Sequence, residues 1–403
     1  MSSDWRNVRL GNVATVNPEK TPAWDPPHII KYVDIASVDA NRGIQMDKVQ
    51  EVAFGDAPGR ARRLIRSGDV LVSTVRPNLR AFAPVPADLE GEVASTGFAV
   101  IRANREFVSP EFLWAVVRTP RFVEDMVRKC TGSNYPAVRA GDVADHSFVL
   151  PDANEQRRIV DLIDAVDDVT RSKIEKLSKL KILFASTLEK MVGGVPPADE
   201  AVALGEQFRV IDCEHKTAPA TAEESFARSI GTSDIRGGRF LLETAKAVSE
   251  ATFLEWTARA EPTPGDVVLT REAPVGQVAL VTPSTGRLCL GQRTVLLRPT
   301  GSIPGAYIWA ALLSESYQRF LRERSIGQTV ERVNVKLVKE LPVRIPEASY
   351  SLRVIEAAEA LADTIDAEQS NLDSIRHVHS ELLSALLSGA HRIPETYDEL
   401  MGA

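Results

Sequence analysis

The chain has 403 residues, room for two globular units, with an ordinary 44% of apolar residues and a net charge of −7 that excludes a basic coat over its whole surface. Its three cysteines, Cys130, Cys213 and Cys289, lie far apart with no Cys-x-x-Cys pair, which fits a reducing cytoplasm and speaks against a zinc ribbon. No apolar run approaches the roughly 20 residues that span a bilayer, and the opening residues, with Asp4 and Arg6, do not read as a signal peptide.

In chain order, 5–16 reads as a short strand or strand–turn around Leu10-Gly11. Residues 32–38 alternate as a strand, with Asn41-Arg42-Gly43 as its turn. Gly68-Asp69 is a turn signal before an apolar strand over 70–75, and 98–102 is another strand. Ser109-Pro110-Glu111 opens a helix, with serine as N-cap and proline at the first position. A loop at Thr131-Gly132-Ser133 and a short strand over 148–150 end at Pro151. A stretch over 155–191 without Gly or Pro then carries apolar residues in alternating steps of three and four: Ile163, Val166, Leu177, Leu180, Phe184 and Met191, with polar seats at Thr170 and Lys173. This predicts a helix of roughly 55 Å, whose stripe needs a partner helix. A second stripe over 352–387, with Leu361, Ile365, Leu372, Ile375, His379, Leu382 and Leu386, supplies one.

A shift of about 195 residues superimposes the two halves. Leu10-Gly11 falls on Leu204-Gly205, Gly68-Asp69-Val70 on Gly265-Asp266-Val267, Trp114 on Trp309, Thr131-Gly132-Ser133 on Ile326-Gly327-Gln328, and Leu150-Pro151 on Ile345-Pro346. Matches in the same order at a near-constant offset predict one mixed module followed by a long helix, present twice. The helices would pair antiparallel with each other; pairing with other proteins, or dimerisation through them, stays open.

Six arginines between 57 and 80 (Arg60, Arg62, Arg63, Arg66, Arg76 and Arg80) face one acid, Asp69. In the second module Arg319, Arg322, Arg324, Arg332, Lys336, Lys339 and Arg344 face three acids. One such run fits a solvated face equally well; a cluster in each module points to nucleic acid. Arg76-Pro77-Asn78-Leu79-Arg80 is a turn bearing the residue types that reach guanine and adenine edges bidentately. Further candidates are Ser133, Asn134 and Tyr135, Gln328 and Asn334 in the loop regions after the helices, and Arg271 and Arg293. Asp212-Cys213-Glu214-His215-Lys216-Thr217 offers metal-ligand types, but without Cys-x-x-Cys or His-x-x-x-His it reads as a polar recognition loop through His215, Lys216 and Thr217. Asp25-Pro26-Pro27-His28 is similar to the catalytic tetrapeptide of adenine-N6 methyltransferases. Only 24 residues precede it, too few for a nucleotide-binding βαβ unit, so a Pro-rich loop is expected. His377 and His379, two apart on a helix, do not form a ligand pair. No catalytic or metal-binding residue is assigned.

These features together resemble the specificity (S) subunit of Type I restriction–modification systems, over nearly the whole chain. The resemblance rests on the repeat, on Trp5 to Leu10-Gly11, on Ile65-Arg66-Ser67-Gly68-Asp69-Val70-Leu71, and on Thr131-Gly132-Ser133. It rests most on Leu150-Pro151 running into Glu155-Gln156-Arg157-Arg158-Ile159-Val160; the second copy, Ser351-Leu352-Arg353-Val354-Ile355, lacks the Glu-Gln.

The resemblance implies an α+β fold with an internal pseudo-two-fold repeat: target recognition domains at 1–151 and 195–347, separated by a pair of long antiparallel helices (a coiled coil) at 152–194 and 348–390, and a tail at 391–403. It implies a non-catalytic, cytoplasmic DNA-recognition subunit, each domain reading half of a bipartite duplex site. The partners implied are double-stranded DNA, two methyltransferase (M) subunits and a place for a motor-nuclease (R) subunit. S-adenosylmethionine, ATP and Mg would belong to those partners, with no cofactor on this chain. The alternative is a non-catalytic protein-interaction scaffold built on a coiled coil.

Overall fold

The computed structural model describes residues 5–24, 28–40, 42–213, 216–221, 225–327, 331–394 and 396–401. Asp4, Asp25, Pro26, Pro27, Asn41, Glu214, His215, Gln328 and Thr329 lie outside the described residues. The chain divides into two compact units, Met1–Ser172 with Asn371–Ala403 and Lys173–Ser370. The helices are therefore not separate from the modules, as the expected domain boundaries had them. Half of each helix packs with each module: Ile159, Ile163, Leu383 and Leu386 enter the core of the first, and Phe184, Leu188, Val354 and Ala358 that of the second.

Each unit carries the same antiparallel sheet. In the first unit the strand order is Ala14–Val16, Phe98–Ala103, Val70–Ser73, Phe82–Pro84. In the second it is Phe208–Asp212, Thr294–Pro299, Val267–Thr270, Val278–Leu280. A second sheet in each centres on a parallel pair, Ile29–Val33 with Val93–Ser95 and Ala227–Ile230 with Leu288–Leu290. The expected strand over 32–38 breaks at Asp34, whose side chain accepts from Ile35 N (2.7 Å) and caps a 3-10 turn, Ile35–Ser37. The helix predicted at Ser109 runs Pro110–Arg118, with Ser109 Oγ accepting from Phe112 N (3.0 Å). A second helix, Pro120–Lys129, follows at once, capped by Thr119 Oγ1 on Phe122 N (3.1 Å).

The repeated Leu-Gly is a packing requirement. A Cβ on Gly11 would stand 3.2 Å from Ala144 Cβ, and one on Gly205 3.2 Å from Lys339 Cβ and O. A side chain at either position would require its neighbour to give by a few tenths of an ångström. The repeated Gly-Asp-Val is more than a turn. Asp69 is buried and accepts from Arg66 N (2.9 Å) and from Arg102 Nε and Nη2 (both 2.7 Å). Asp266 repeats this with Thr263 N (2.8 Å) and Arg298 Nε (3.0 Å) and Nη2 (2.6 Å).

In the first unit Arg66 and Arg102 also bind Glu19. The hydrogen bonds from Arg66 and then Arg102 hold its carboxyl at about 2, against 4.5 ordinarily. A carboxyl more acidic in the folded than in the unfolded chain stabilises above its unfolded value and loses that contribution as pH falls toward its folded value. The first unit should lose stability from pH about 4.5 down to 2, and Glu19→Gln should flatten that part of the profile of urea midpoint against pH. An unchanged slope in the variant would contradict the assignment.

The long helices are Ala153–Val192 and Ala348–Leu387. Within the second unit Tyr350 Oη donates to Met191 O (2.6 Å), while Lys176 Nζ (2.5 Å) and Lys173 Nζ (3.2 Å) hold Glu368. The partners advance along one helix as they recede along the other, so the helices pair antiparallel there. Of the expected seam, Ile163, Leu177, Phe184, Leu372 and Leu386 are buried; Val166, Leu180, Leu361, Ile365, Ile375 and Leu382 are half-buried. In the N-terminal half of the second helix the fully buried line is Val354, Ala358 and Ala362 rather than Leu361 and Ile365, because small residues face the second module's core. His379 is half-buried beside Asp167 (Nε2 to Oδ1, 3.3 Å), which also takes Arg118 Nη1 (2.6 Å).

The Glu-Gln at the first helix start serves the first unit itself. Trp5 Nε1 donates to Glu155 Oε2 (2.7 Å). Gln156 is buried, accepts from Ser109 N (3.1 Å), and donates to Phe107 O and Pro151 O (both 3.0 Å). In the second unit Ser351, buried at the place of Gln156, is too short to make those bonds.

Candidate nucleic-acid interface

One constellation recurs in both units. In the first, a loop is closed by Thr131 and Ala137, which exchange both main-chain bonds (2.9 Å each), and is stitched to the end of strand Val70–Ser73 by Val138 N to Thr74 O (2.9 Å) and Arg76 N to Pro136 O (2.8 Å). In the second, Ile326 and Arg332 exchange the same bonds (2.9 and 3.0 Å), and Val333 N donates to Arg271 O (2.8 Å). The sequence reading matched Thr131 with Ile326; the strand-end turn that each loop leans on comes from about 55 residues earlier, and only the fold brings the two together.

In the first unit this places Arg76, Asn78, Arg80, Ser133, Asn134 and Tyr135 on one exposed surface. Arg76 Nη2 donates to Asn134 O (3.1 Å), and its guanidinium stands 5.0 Å from the Tyr135 ring centroid. Tyr135 is 72% exposed. Arg76 and Arg80 bracket the 3-10 turn Pro77–Leu79 and are both left-handed, at φ +49° and +53°. Left-handed backbone at two non-glycine residues costs about 1–2 kcal/mol each, and such strain collects at functional sites. Arg80 is exposed and carries no ion pair among the described residues, and Asn78 is exposed beside it.

The rest of the arginine window is largely spoken for. Arg60 Nη2 pairs with Asp34 (3.2 Å), and Arg62 Nε donates to Gly59 O (3.0 Å). Arg63 is half-buried on strand Ala61–Leu64, its pKa lowered by burial. Arg66 is neutralised by Glu19 (3.0 Å) and Glu90 (3.4 Å). Nor are the two basic windows equivalent. Where the first unit has strand Ala61–Leu64, the second has the helix Glu250–Trp256. The second window lies mainly on the helices Glu315–Glu323 and Val335–Lys339.

Among the second unit's candidates, Arg271 is corrected to an internal strut. It is buried, with Nη2 on Asp212 Oδ1 (3.0 Å) and Nη1 on Val333 O (3.4 Å), so it cannot reach a groove. Asn334 caps the helix Val335–Lys339, its Oδ1 accepting from Leu337 N (2.7 Å). Arg293, left-handed at φ +67°, is exposed and sits 3.4 Å from Glu272. Lys216 (3.7 Å from Glu255), Thr217, Arg332 and Lys336 (3.7 Å from Glu340) are exposed. His215 and Gln328 lie outside the described residues. The sequence reading passed over Arg287, whose exposed guanidinium stands 4.3 Å over Phe226. No signal marks it, since the two are 61 residues apart.

His28 stacks on Trp24 (4.5 Å between centroids, 17° between planes), which accounts for it as part of a local aromatic cluster. Among the described residues there is no group of three or more His, Cys, Asp or Glu arranged to hold a metal, and no helix long and apolar enough to cross a membrane.

No family model matches the chain. The "Type I restriction enzyme HindI specificity subunit" of Haemophilus influenzae is 27% identical over 258 residues, 61% of this chain and 54% of that protein. The chain thus spans about half the length of this curated relative. A solved structure described as the basis of complex assembly and conformational transition of the type I R-M system is 28% identical, covers 96% of this chain and 98% of its own, and superimposes with a TM-score of 0.59. The chain is a relative of Type I specificity subunits. The S subunit from M. genitalium, 13% identical and matched over 96% of each chain at a TM-score of 0.52, agrees in fold. This chain combines two compact units of mixed helix and sheet with two 40-residue helices.

Proposed function

We propose that the chain is the sequence-specific DNA-recognition subunit of a Type I restriction–modification complex, each module reading one half of a bipartite duplex site. The observation that carries this is the loop closed by a main-chain pair and stitched to a strand-end turn, which recurs in both units: Thr131 with Ala137 and Val138 N on Thr74 O in the first, Ile326 with Arg332 and Val333 N on Arg271 O in the second. A fixed frame with variable tips suits two readers of different half-sites. Phosphate contacts from the remaining exposed cations position the modules, while base contacts specify.

The chain itself performs no chemistry in this reading. Methyltransferase subunits, two by the symmetry of the repeat, bring S-adenosylmethionine and methylate adenine N6. A motor-nuclease subunit, where present, brings ATP and Mg, and the assembly works in the cytoplasm. Partner surfaces supply positive charge that this chain, at −7, lacks.

The scaffold reading draws on the neutralised arginines, Arg60 with Asp34 and Arg66 with Glu19 and Glu90. Salt dependence separates the two. Binding of a split-motif duplex by the chain with its M subunits should fall steeply with salt, the log–log slope being about −0.9 per neutralised phosphate. A flat response, or equal affinity for random duplex, would favour the scaffold.

A further inference from the structure

Leu79 is 60% exposed at the tip of the turn that carries Arg76, Asn78 and Arg80. The turn is closed on itself by Leu79 N to Arg76 O (2.9 Å) and Arg80 N to Pro77 O (3.0 Å), and anchored by the buried Pro77. Left-handed backbone flanks the turn on both sides, at the non-glycine residues Arg76 and Arg80. Nothing in the first unit's own packing uses it: Leu79 belongs to none of the apolar clusters among the described residues. Its nearest chain neighbours are an amide and guanidinium groups suited to base edges. The apolar feature that a base pair offers beside such polar edges is the 5-methyl group of thymine, in the major groove.

We infer that Leu79 reads a thymine methyl in the half-site of the first unit. The inference rests on the DNA-recognition reading above and deepens it. The second unit has no counterpart on its equivalent turn: there Ala273-Pro274 leads into Val275, which is buried. Leu79 therefore makes the two readers chemically unequal, and its contribution is confined to one half-site.

The test uses the full chain with its M subunits and the split motif obtained by mapping N6-methyladenine. Thymines of each half are replaced one at a time by deoxyuridine, which lacks only the methyl group. The wild type should lose about fourfold in affinity at one thymine in one half, the ratio for one methyl group returned to water. Leu79→Ala should bind the thymine and deoxyuridine duplexes equally at that position, Leu79→Met should retain the difference, and the other half-site should be unaffected. An unchanged thermal midpoint confirms that the variants fold. The inference is overturned if every deoxyuridine is neutral in a complex that still prefers its split motif, or if Leu79→Ala keeps the wild-type difference. Absence of any preference for the split motif would instead remove the reading beneath it.

Discussion

Asp266→Ala is expected to destabilise the second unit by about 2–3 kcal/mol, the cost of deleting a buried carboxylate that satisfies main-chain and guanidinium donors, with Arg298 itself 29% exposed to water. Asp266 is 2% exposed and takes both Nε and Nη2 of Arg298, along with the main chain at Thr263. Without the carboxylate, the partly exposed guanidinium keeps, among the described residues, the Glu261 carbonyl and the Thr263 hydroxyl. Asp69→Ala should cost less, because Arg102 still has Glu19. The order of the two is the informative part, and urea denaturation with separate probes in the two units measures it. A loss below about 1 kcal/mol for Asp266→Ala, in the range of an exposed pair, would show that the lock is not a structural element.

Arg76→Ala is expected to relax recognition of one half-site and leave the other intact. A bidentate base contact discriminates by about 1–3 kcal/mol, roughly 5–150-fold. Arg76 also ties the 131–137 loop to its turn through Asn134 O and the Tyr135 ring, so its removal frees that loop as well as deleting a donor. Asn78→Ala, at an exposed position with no such tie, should relax fewer base positions. Competition of single-substituted duplexes against the split motif reads both effects. Relaxation in both halves would contradict independent readers.

The arginine cluster shows where residue type stops being informative. From the sequence, Arg60, Arg62, Arg63, Arg66, Arg76 and Arg80 are six equal cations. In the fold Arg66 closes on Glu19 and Glu90, Arg60 on Asp34, and Arg63 lies half-buried on a strand. The acids that neutralise them lie 24 to 47 residues away, and no local pattern announces such pairs. Arg271 is the same case in the second unit: its strut partner Asp212 is 59 residues earlier.

What the sequence by itself determined is what depends on near neighbours and on period. The two helices follow from the absence of Gly and Pro together with three–four spacing. The serine-capped helix at Pro110 follows from its own first turn, and the duplication from a constant offset. Tertiary structure alone decided which half of each helix belongs to which module, that Gln156 fastens a helix start while Ser351 cannot, and which arginines remain to meet a ligand. The physical reason is reach: helix propensity and capping act within four residues, whereas burial and ion pairing are settled by whichever distant strand the fold brings alongside.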